Sequence, residues 1–102
     1  MKIDLLFFDE CPSWQQGLQN LMAALEAEGL EAEIRMAPVE NNADAASLKF
    51  LGSPSFHING EDLWPEQRAE YALSLRVYAT PQGMQGAPTV EMLREKLRAV
   101  RK

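Results

Sequence analysis

The sequence predicts an α/β fold of element order β-α-β-α-β-β-α, in which a mixed four-stranded sheet carries helices on both faces. Short apolar runs of strand length alternate along the chain with segments of helical period. The strand–helix–strand start predicts a right-handed parallel crossover. The 102 residues, of which 46% are hydrophobic and 25% charged, suit one compact domain spanning residues 1–102.

The first half of the chain predicts two strands around a long helix. Residues 2–8, KIDLLFF, are typical of a buried strand, and residues 31–37 alternate as a half-buried strand that ends at Pro38. Pro12 suits the first turn of the intervening helix, and Gly29 suits its end. The apolar face of that helix is expected to comprise Trp14, Leu18, Leu21, Met22 and Leu25.

The middle of the chain predicts a short helix and a third strand. The helix extends through Phe50 and is closed by Gly52. Its N-cap is one of three residues: Asn41, Asn42 or Asp44. The third strand lies in SPSFHING, residues 53–60, and ends at the turn formed by Asn59-Gly60.

The last third of the chain predicts a loop, a fourth strand and a final helix. Residues 61–71 are interpreted as the loop, and residues 73–78 alternate apolar with polar side chains as the strand. We expect this strand to pair antiparallel with the third. Thr89 is expected to cap the final helix, whose inner face comprises Val90, Leu93, Leu97 and Val100.

The charge and the rare residues exclude several classes of function. The net charge is −5, so nucleic acid is not expected as a partner. The basic residues crowd the end of the chain, at Arg94, Lys96, Arg98, Arg101 and Lys102. Apolar runs are too short for a bilayer and no signal-peptide pattern occurs, so no membrane association is expected and the cytoplasm is the expected location. A single cysteine and a single histidine exclude an internal disulfide and disfavour a zinc site. The oligomeric state is not predicted.

Two short motifs lie in loops that connect elements of the predicted fold. CPSW, residues 11–14, separates the first strand from the first helix, and GSPSF, residues 52–56, leads into the third strand. This arrangement resembles the thioredoxin fold over nearly the whole chain. It is most similar to small bacterial thioredoxin-like proteins with a C-P-x-W start and a G-S-P-[ST] middle, some of which are labelled alkylmercury-lyase-like.

The resemblance implies a site. In that family the proline of the second motif is cis and lies against the active cysteine, so Ser53-Pro54 is expected to face Cys11. Cys11 then takes the catalytic position. Pro12, Trp14, Ser53 and Pro54 take substrate-binding positions, with the Ser53 backbone offered to a peptide or thiol. The related proteins also carry a strand S-C-R-x-Y, which here reads SLRVY at residues 74–78. Because Leu75 replaces that second cysteine, organomercurial cleavage is disfavoured.

Cys11 leaves the nature of the protein open between an enzyme and a binding module. A helix N-terminus stabilises a thiolate, whereas the neighbouring Asp9 and Glu10 oppose it. Without a resolving cysteine the chain cannot act as a dithiol reductase. It can act as a monothiol oxidoreductase that forms a mixed disulfide with glutathione or with a partner protein. No cofactor is expected apart from glutathione. A metal or mercurial carrier is a third hypothesis, but one cysteine supplies one soft ligand, so it requires a dimer or a bound small thiol.

The alternative is a non-catalytic thioredoxin-like binding module in which Cys11 is inert. In that hypothesis Ser53 pairs with an extended peptide, and an apolar groove is formed by Trp14, Pro54, Phe56 and Trp64. Two polar residues are assigned no chemistry. His57 is expected on a polar face or with its hydrogen bonds satisfied. Arg76, the one charge in residues 73–78, is expected on an outer face or paired with Glu40 or Glu70.

Overall fold

The computed structural model describes residues 1–100; Arg101 and Lys102, two of the expected C-terminal cations, lie outside the described residues. Three helices and six strands occur among the described residues. In chain order they are β1 (Lys2–Phe7), α1 (Trp14–Ala27), β2 (Glu33–Pro38), α2 (Asn42–Leu48), β3 (Ser55–Ile58), β4 (Glu61–Asp62), β5 (Tyr78–Thr80), β6 (Gly83–Gln85) and α3 (Val90–Val100).

The main sheet has four strands in the order β2-β1-β3-β4. β1 runs parallel to β2 and antiparallel to β3, and β3 runs antiparallel to β4. The predicted mixed four-stranded α/β architecture is therefore confirmed. β5 and β6 form a separate two-stranded hairpin that the sequence did not predict.

The sheet separates two apolar layers. On one face, α1 and α3 pack over the larger core, in which Leu5, Phe56 and Leu93 are fully buried. On the other face a smaller cluster surrounds Leu6 and Phe50, with Ala45 of α2 buried in it. Burial on both faces accounts for the apolar run from Leu5 to Phe7 in β1, and it also encloses the polar side chains of Ser55 and His57 in β3. Within residues 1–100, no helix combines the length and the hydropathy needed to cross a bilayer.

The helix ends follow capping chemistry, with some differences from expectation. Asn41 accepts the backbone N–H of Asp44 and is the N-cap of α2, and Thr89 accepts the N–H of Met92 as predicted for α3. α2 ends at Leu48 and not at Phe50, because Lys49 turns into the left-handed region at φ 53°. Three expectations were wrong: Pro12 precedes the first turn of α1, and Met22 and Val100 are exposed at 56% and 44%.

The prediction of the fourth strand was wrong. Asn59 and Gly60 both have positive φ, so they form a tight turn that returns the chain directly along β3 as β4. The pair Glu61–Asp62 therefore takes the edge position that residues 73–78 were expected to take. Of that expected strand only Tyr78 is in a ladder, where it pairs with Gln85 of β6.

Gly17 explains how closely α1 approaches the start of β3. A Cβ atom at this position would lie 3.1 Å from Cγ of Pro54 and 3.3 Å from Cζ of Phe56. Both neighbours are buried, so neither can retreat into solvent. Glycine is about 1 kcal/mol less favourable than alanine inside a helix, so this close packing has a cost in helix stability.

Gly17→Leu is expected to destabilise the protein by about 1–3 kcal/mol or more, because the added side chain overfills the contact with Pro54 and Phe56. Urea unfolding followed by circular dichroism measures the loss. Gln19→Leu places the same side chain on the exposed face of α1 and is expected to change stability by less than about 0.5 kcal/mol. Equal effects of the two substitutions would show that the approach at Gly17 is not tight.

Candidate functional site

Cys11 lies in the turn that joins β1 to α1. Its backbone N–H donates to the carbonyl of Phe8 over 3.1 Å, which places the residue three positions before α1 begins. The residue is only 5% exposed. Its Sγ donates to the backbone carbonyl of Ser53 over 3.5 Å, a hydrogen bond that requires the protonated thiol.

The predicted meeting of Cys11 with the proline-bearing loop is confirmed. The Ser53-Pro54 peptide is cis, and the Ser53 carbonyl accepts the Cys11 thiol. α1 and β1 position the cysteine, while the segment entering β3 positions the serine.

The backbone N–H, the backbone carbonyl and the hydroxyl oxygen of Ser53 are all hydrogen-bonded within the chain. Its N–H donates to the carbonyl of Ser74 over 2.8 Å, and its carbonyl accepts the N–H of Arg76 over 3.1 Å. Its hydroxyl oxygen accepts the N–H of Phe8 over 3.3 Å. The backbone groups that the family resemblance offers to a peptide or thiol are therefore engaged by the chain itself.

The other candidate binding residues do not form an open groove. Phe56 is fully buried and Pro54 is less than 2% exposed, so both belong to the core. Trp14 is half-buried with its ring 4.6 Å from that of Phe7, and Trp64 meets Tyr78 edge to face. Pro12 is exposed. The substrate-binding roles of Pro12, Trp14, Ser53 and Pro54 stay predictions.

The surroundings of the thiol carry negative charge. Asp9 and Glu10, both exposed, immediately precede Cys11. Among the described residues no cationic side chain hydrogen-bonds the sulfur, whose one polar partner is the Ser53 carbonyl. Within residues 1–100 no group of three or more histidine, cysteine, aspartate or glutamate side chains is arranged to hold a metal ion.

A buried ion pair lies next to this site. Arg76, 5% exposed, donates from Nη1 to the carboxylate of Asp62 over 2.7 Å and to the hydroxyl of Ser55 over 3.0 Å. Its Nη2 donates to the carbonyl of Trp64 over 2.7 Å. Neither Glu40 nor Glu70 is its partner, and it does not lie on an outer face. Both expectations were wrong, because Arg76 points inward where Asp62 and Ser55 satisfy it.

Asp62 joins this cluster to His57. The side chain of Asp62 is 6% exposed, and its Oδ2 lies 3.6 Å from Nε2 of His57, an ion-pair distance beyond hydrogen-bond range. Nε2 of His57 is buried without a hydrogen-bond partner, so the expectation of a satisfied histidine was wrong. Burial raises the pKa of Asp62, but His57 and Arg76 outweigh this and hold the pKa of Asp62 below its usual value.

Sequence reasoning missed Asp62 because residues 61–71 were interpreted as a loop. A signal was present in the Asn59-Gly60 turn. A two-residue turn determines the hairpin register, which places His57 directly opposite Asp62. An acidic residue directly opposite a position of the buried strand β3 indicates a partner of opposite charge.

Because of the buried ion pair, the polar side chains of residues 73–78 face the protein and the apolar side chains face solvent. Arg76 and Tyr78 are buried, and the Tyr78 hydroxyl donates to the carbonyl of Pro54 over 2.6 Å. The intervening apolar side chains face outward: Leu73 is 37%, Leu75 59% and Val77 63% exposed. The predicted alternation is therefore present, with the opposite face turned inward.

Arg76→Met is expected to destabilise the protein by about 3–5 kcal/mol, because it leaves the Asp62 carboxylate buried without its cation. Replacing both partners, in Arg76→Met with Asp62→Leu, is expected to recover part of this loss. Chemical unfolding measures each variant. The control is Arg35→Met, which breaks a 2.7 Å pair between Arg35 and Asp4 in which the arginine is 52% exposed, and should have little effect. A loss at Arg76 no larger than in this control would contradict the interpretation.

Asp62 is expected to contribute to acid unfolding. A carboxyl whose folded pKa is depressed contributes stability above its unfolded pKa, about 3.9, and loses that contribution as the pH falls through the folded pKa. The stability difference between the unsubstituted protein and Asp62→Asn should therefore narrow as the pH falls below about 4. Urea unfolding at a series of pH values measures it. A difference that stays constant or widens on acidification would count against the depressed pKa.

The site thus joins one buried thiol to the Ser53 backbone, whose N–H and C=O are both hydrogen-bonded within the chain. Because the chain has one cysteine, dithiol exchange within it is excluded. No protein-family model, curated protein or solved structure matches the chain. What the protein does is therefore inferred from the contacts of Cys11, Ser53 and Arg76.

Proposed function

We propose that the chain is a thioredoxin-fold binding module in which Cys11 is a structural thiol. Support for the fold comes from the strand order β2-β1-β3-β4, with β1 parallel to β2 and antiparallel to β3. It comes also from the contact between the turn after β1, which holds Cys11, and the loop before β3, which holds Ser53.

The observation that carries the proposal is the closure of the thiol site by the chain itself. The Cys11 sulfur reacts as a thiolate, and a thiolate cannot donate to the Ser53 carbonyl as the present thiol does. Ionisation therefore removes one hydrogen bond and leaves an anion in a nearly closed pocket beside a carbonyl oxygen. Asp9 and Glu10 add negative charge nearby. These features suit a thiol that stabilises the junction of two loops.

A monothiol oxidoreductase is the second candidate, favoured by the position of Cys11 just before α1. In that reaction the Cys11 thiolate attacks the glutathione sulfur of a disulfide between a partner protein and glutathione. A mixed disulfide of Cys11 with glutathione forms, and the partner protein leaves as its thiolate. A glutathione thiolate then attacks this mixed disulfide, which regenerates the Cys11 thiolate and releases oxidised glutathione, so the partner is reduced at the expense of two glutathiones. This route requires the sulfur to become accessible.

Alkylation of the folded protein with iodoacetamide distinguishes the two candidates. We expect Cys11 to react at least about tenfold more slowly than a free thiol, because reaction requires local opening of the junction with Ser53. Mass spectrometry measures the rate. As a matched control, the variant Cys11→Ser with Ser47→Cys carries its one thiol on the exposed surface of α2.

Alkylation of Cys11 as fast as that of the control thiol, together with a mixed disulfide on incubation with oxidised glutathione, would reject the structural thiol in favour of the oxidoreductase. Cys11→Ser is expected to keep the fold, since the serine hydroxyl can donate to the Ser53 carbonyl in place of the thiol.

A further inference from the structure

The outer segment, residues 73–77, is attached to the site through the backbone edge that meets Ser53. Ser53 donates to the carbonyl of Ser74 and accepts from the N–H of Arg76, which makes a parallel bridge between Ser53 and Leu75. The segment therefore occupies, within the chain itself, the position of a strand added beside Ser53. The second edge carries one hydrogen bond at its Leu73 end, where the N–H of Leu73 donates to Oδ1 of Asn42 over 3.0 Å.

Leu75 presents a free backbone edge. In extended chain the peptide groups of successive residues point to alternate sides, so the N–H and C=O of Leu75 point away from Ser53. Neither group has a hydrogen-bond partner in the part of the chain that the structure describes. Unpaired edge groups of this kind accept an additional strand.

The side chains next to this edge are apolar and open to solvent. Leu73, Leu75 and Val77 are 37%, 59% and 63% exposed. In the β5–β6 hairpin, Ala79 is paired with Met84, which is 63% exposed. The exposed side chains of Leu73, Leu75, Val77 and Met84 are called the apolar stripe. An apolar stripe beside an unpaired backbone edge indicates a surface for an extended apolar segment.

One end of the stripe is acidic. Leu73 borders a cavity of about 540 Å³ whose wall includes Phe8, Val39 and three carboxylates, those of Asp9, Glu10 and Glu40. No basic residue lines this cavity, and none of the three carboxylates forms an ion pair within residues 1–100. Apolar walls with carboxylates at the rim suit an arginine or lysine, which packs its stem and pairs its charged end.

We propose that the outer segment is a docking edge for an extended segment of another protein, one that alternates apolar side chains and carries a basic residue at the end nearest Leu73. The added strand pairs with the N–H and C=O of Leu75, covers Val77 and Met84, and places its cation among Asp9, Glu10 and Glu40. The inference rests on the proposed binding function and names the partner's chemistry.

A second copy of the chain is a poorer occupant of this edge. Its own outer segment has the sequence LSLRV, in which the one basic side chain, Arg76, is buried in the ion pair with Asp62. Pairing of two such segments therefore brings no cation to the acidic cavity, and a partner with an exposed basic residue complements the surface better.

The test uses fluorescent seven-residue peptides of alternating valine and threonine, with arginine at the N-terminal end in one and at the C-terminal end in the other. We expect one of the two to bind the full chain in an anisotropy titration. Replacing its arginine by glutamate is expected to weaken binding about tenfold, and N-methylation of its central valine by a similar factor, since the methyl group removes a strand-pairing N–H. These peptide changes leave the protein untouched.

Matched protein variants locate the contact. Leu75→Pro, which removes the outward N–H, and the pair Asp9→Asn with Glu10→Gln are each expected to weaken binding about five- to tenfold. Met22→Ser removes an exposed methionine from α1, away from the edge, and is expected to leave binding unchanged. Circular dichroism checks that each variant is folded.

Failure of both arginine peptides to bind, or equal binding of the glutamate peptide, would overturn the docking edge, as would self-association of the chain that Leu75→Pro abolishes. Cys11→Ser is expected to bind the peptide as well as the unsubstituted chain does. Peptide binding by a protein whose Cys11 proves reactive would keep the docking edge and reject the structural thiol. An inert Cys11 without peptide binding would reject the edge alone.

Discussion

The structure depends most on the hydrogen bonds of Ser53. This residue is 1% exposed, so each of its polar groups needs a partner from the protein. Its hydroxyl takes the N–H of Phe8, its carbonyl takes both Cys11 and Arg76, and its N–H reaches Ser74. One residue thereby connects the end of β1, the turn before α1 and the outer segment. Any opening that frees the thiol also disturbs these connections.

The ion pair between Arg76 and Asp62 decides which side of the outer segment faces the protein. A guanidinium at this position cannot be buried without a carboxylate, and the β3–β4 hairpin supplies one. With Arg76 and Tyr78 turned inward, an extended chain must turn Leu73, Leu75 and Val77 outward. The apolar surface beside the thiol site is thus a geometric result of satisfying a buried charge.

Patterns of local origin were sufficient for much of the fold, whereas the meeting of Cys11 with Ser53 was expected only from the family resemblance. Apolar runs and periodicity identified β1 and α1, and the turn signal at Asn59-Gly60 identified β3. Capping chemistry identified Thr89 and Gly29, whose φ is +63°. The failures came from long-range partners. Alternation in residues 73–78 showed the period but not the buried face, which depends on Asp62. Nor could sequence show that the Ser53 backbone is occupied, since that requires the path of a segment some twenty residues away.

Gly17 bears on how this sequence can diverge. A Cβ atom at position 17 would lie 3.1 Å from Pro54 and 3.3 Å from Phe56, so these three sites share one tight contact. A larger residue at 17 is expected to be tolerated best where a smaller one stands at 54 or 56. Among proteins related to this chain, substitutions at positions 17, 54 and 56 are therefore expected to be correlated. The correlation should persist even in relatives that have lost Cys11, because it arises from the contact between α1 and the Ser53 loop.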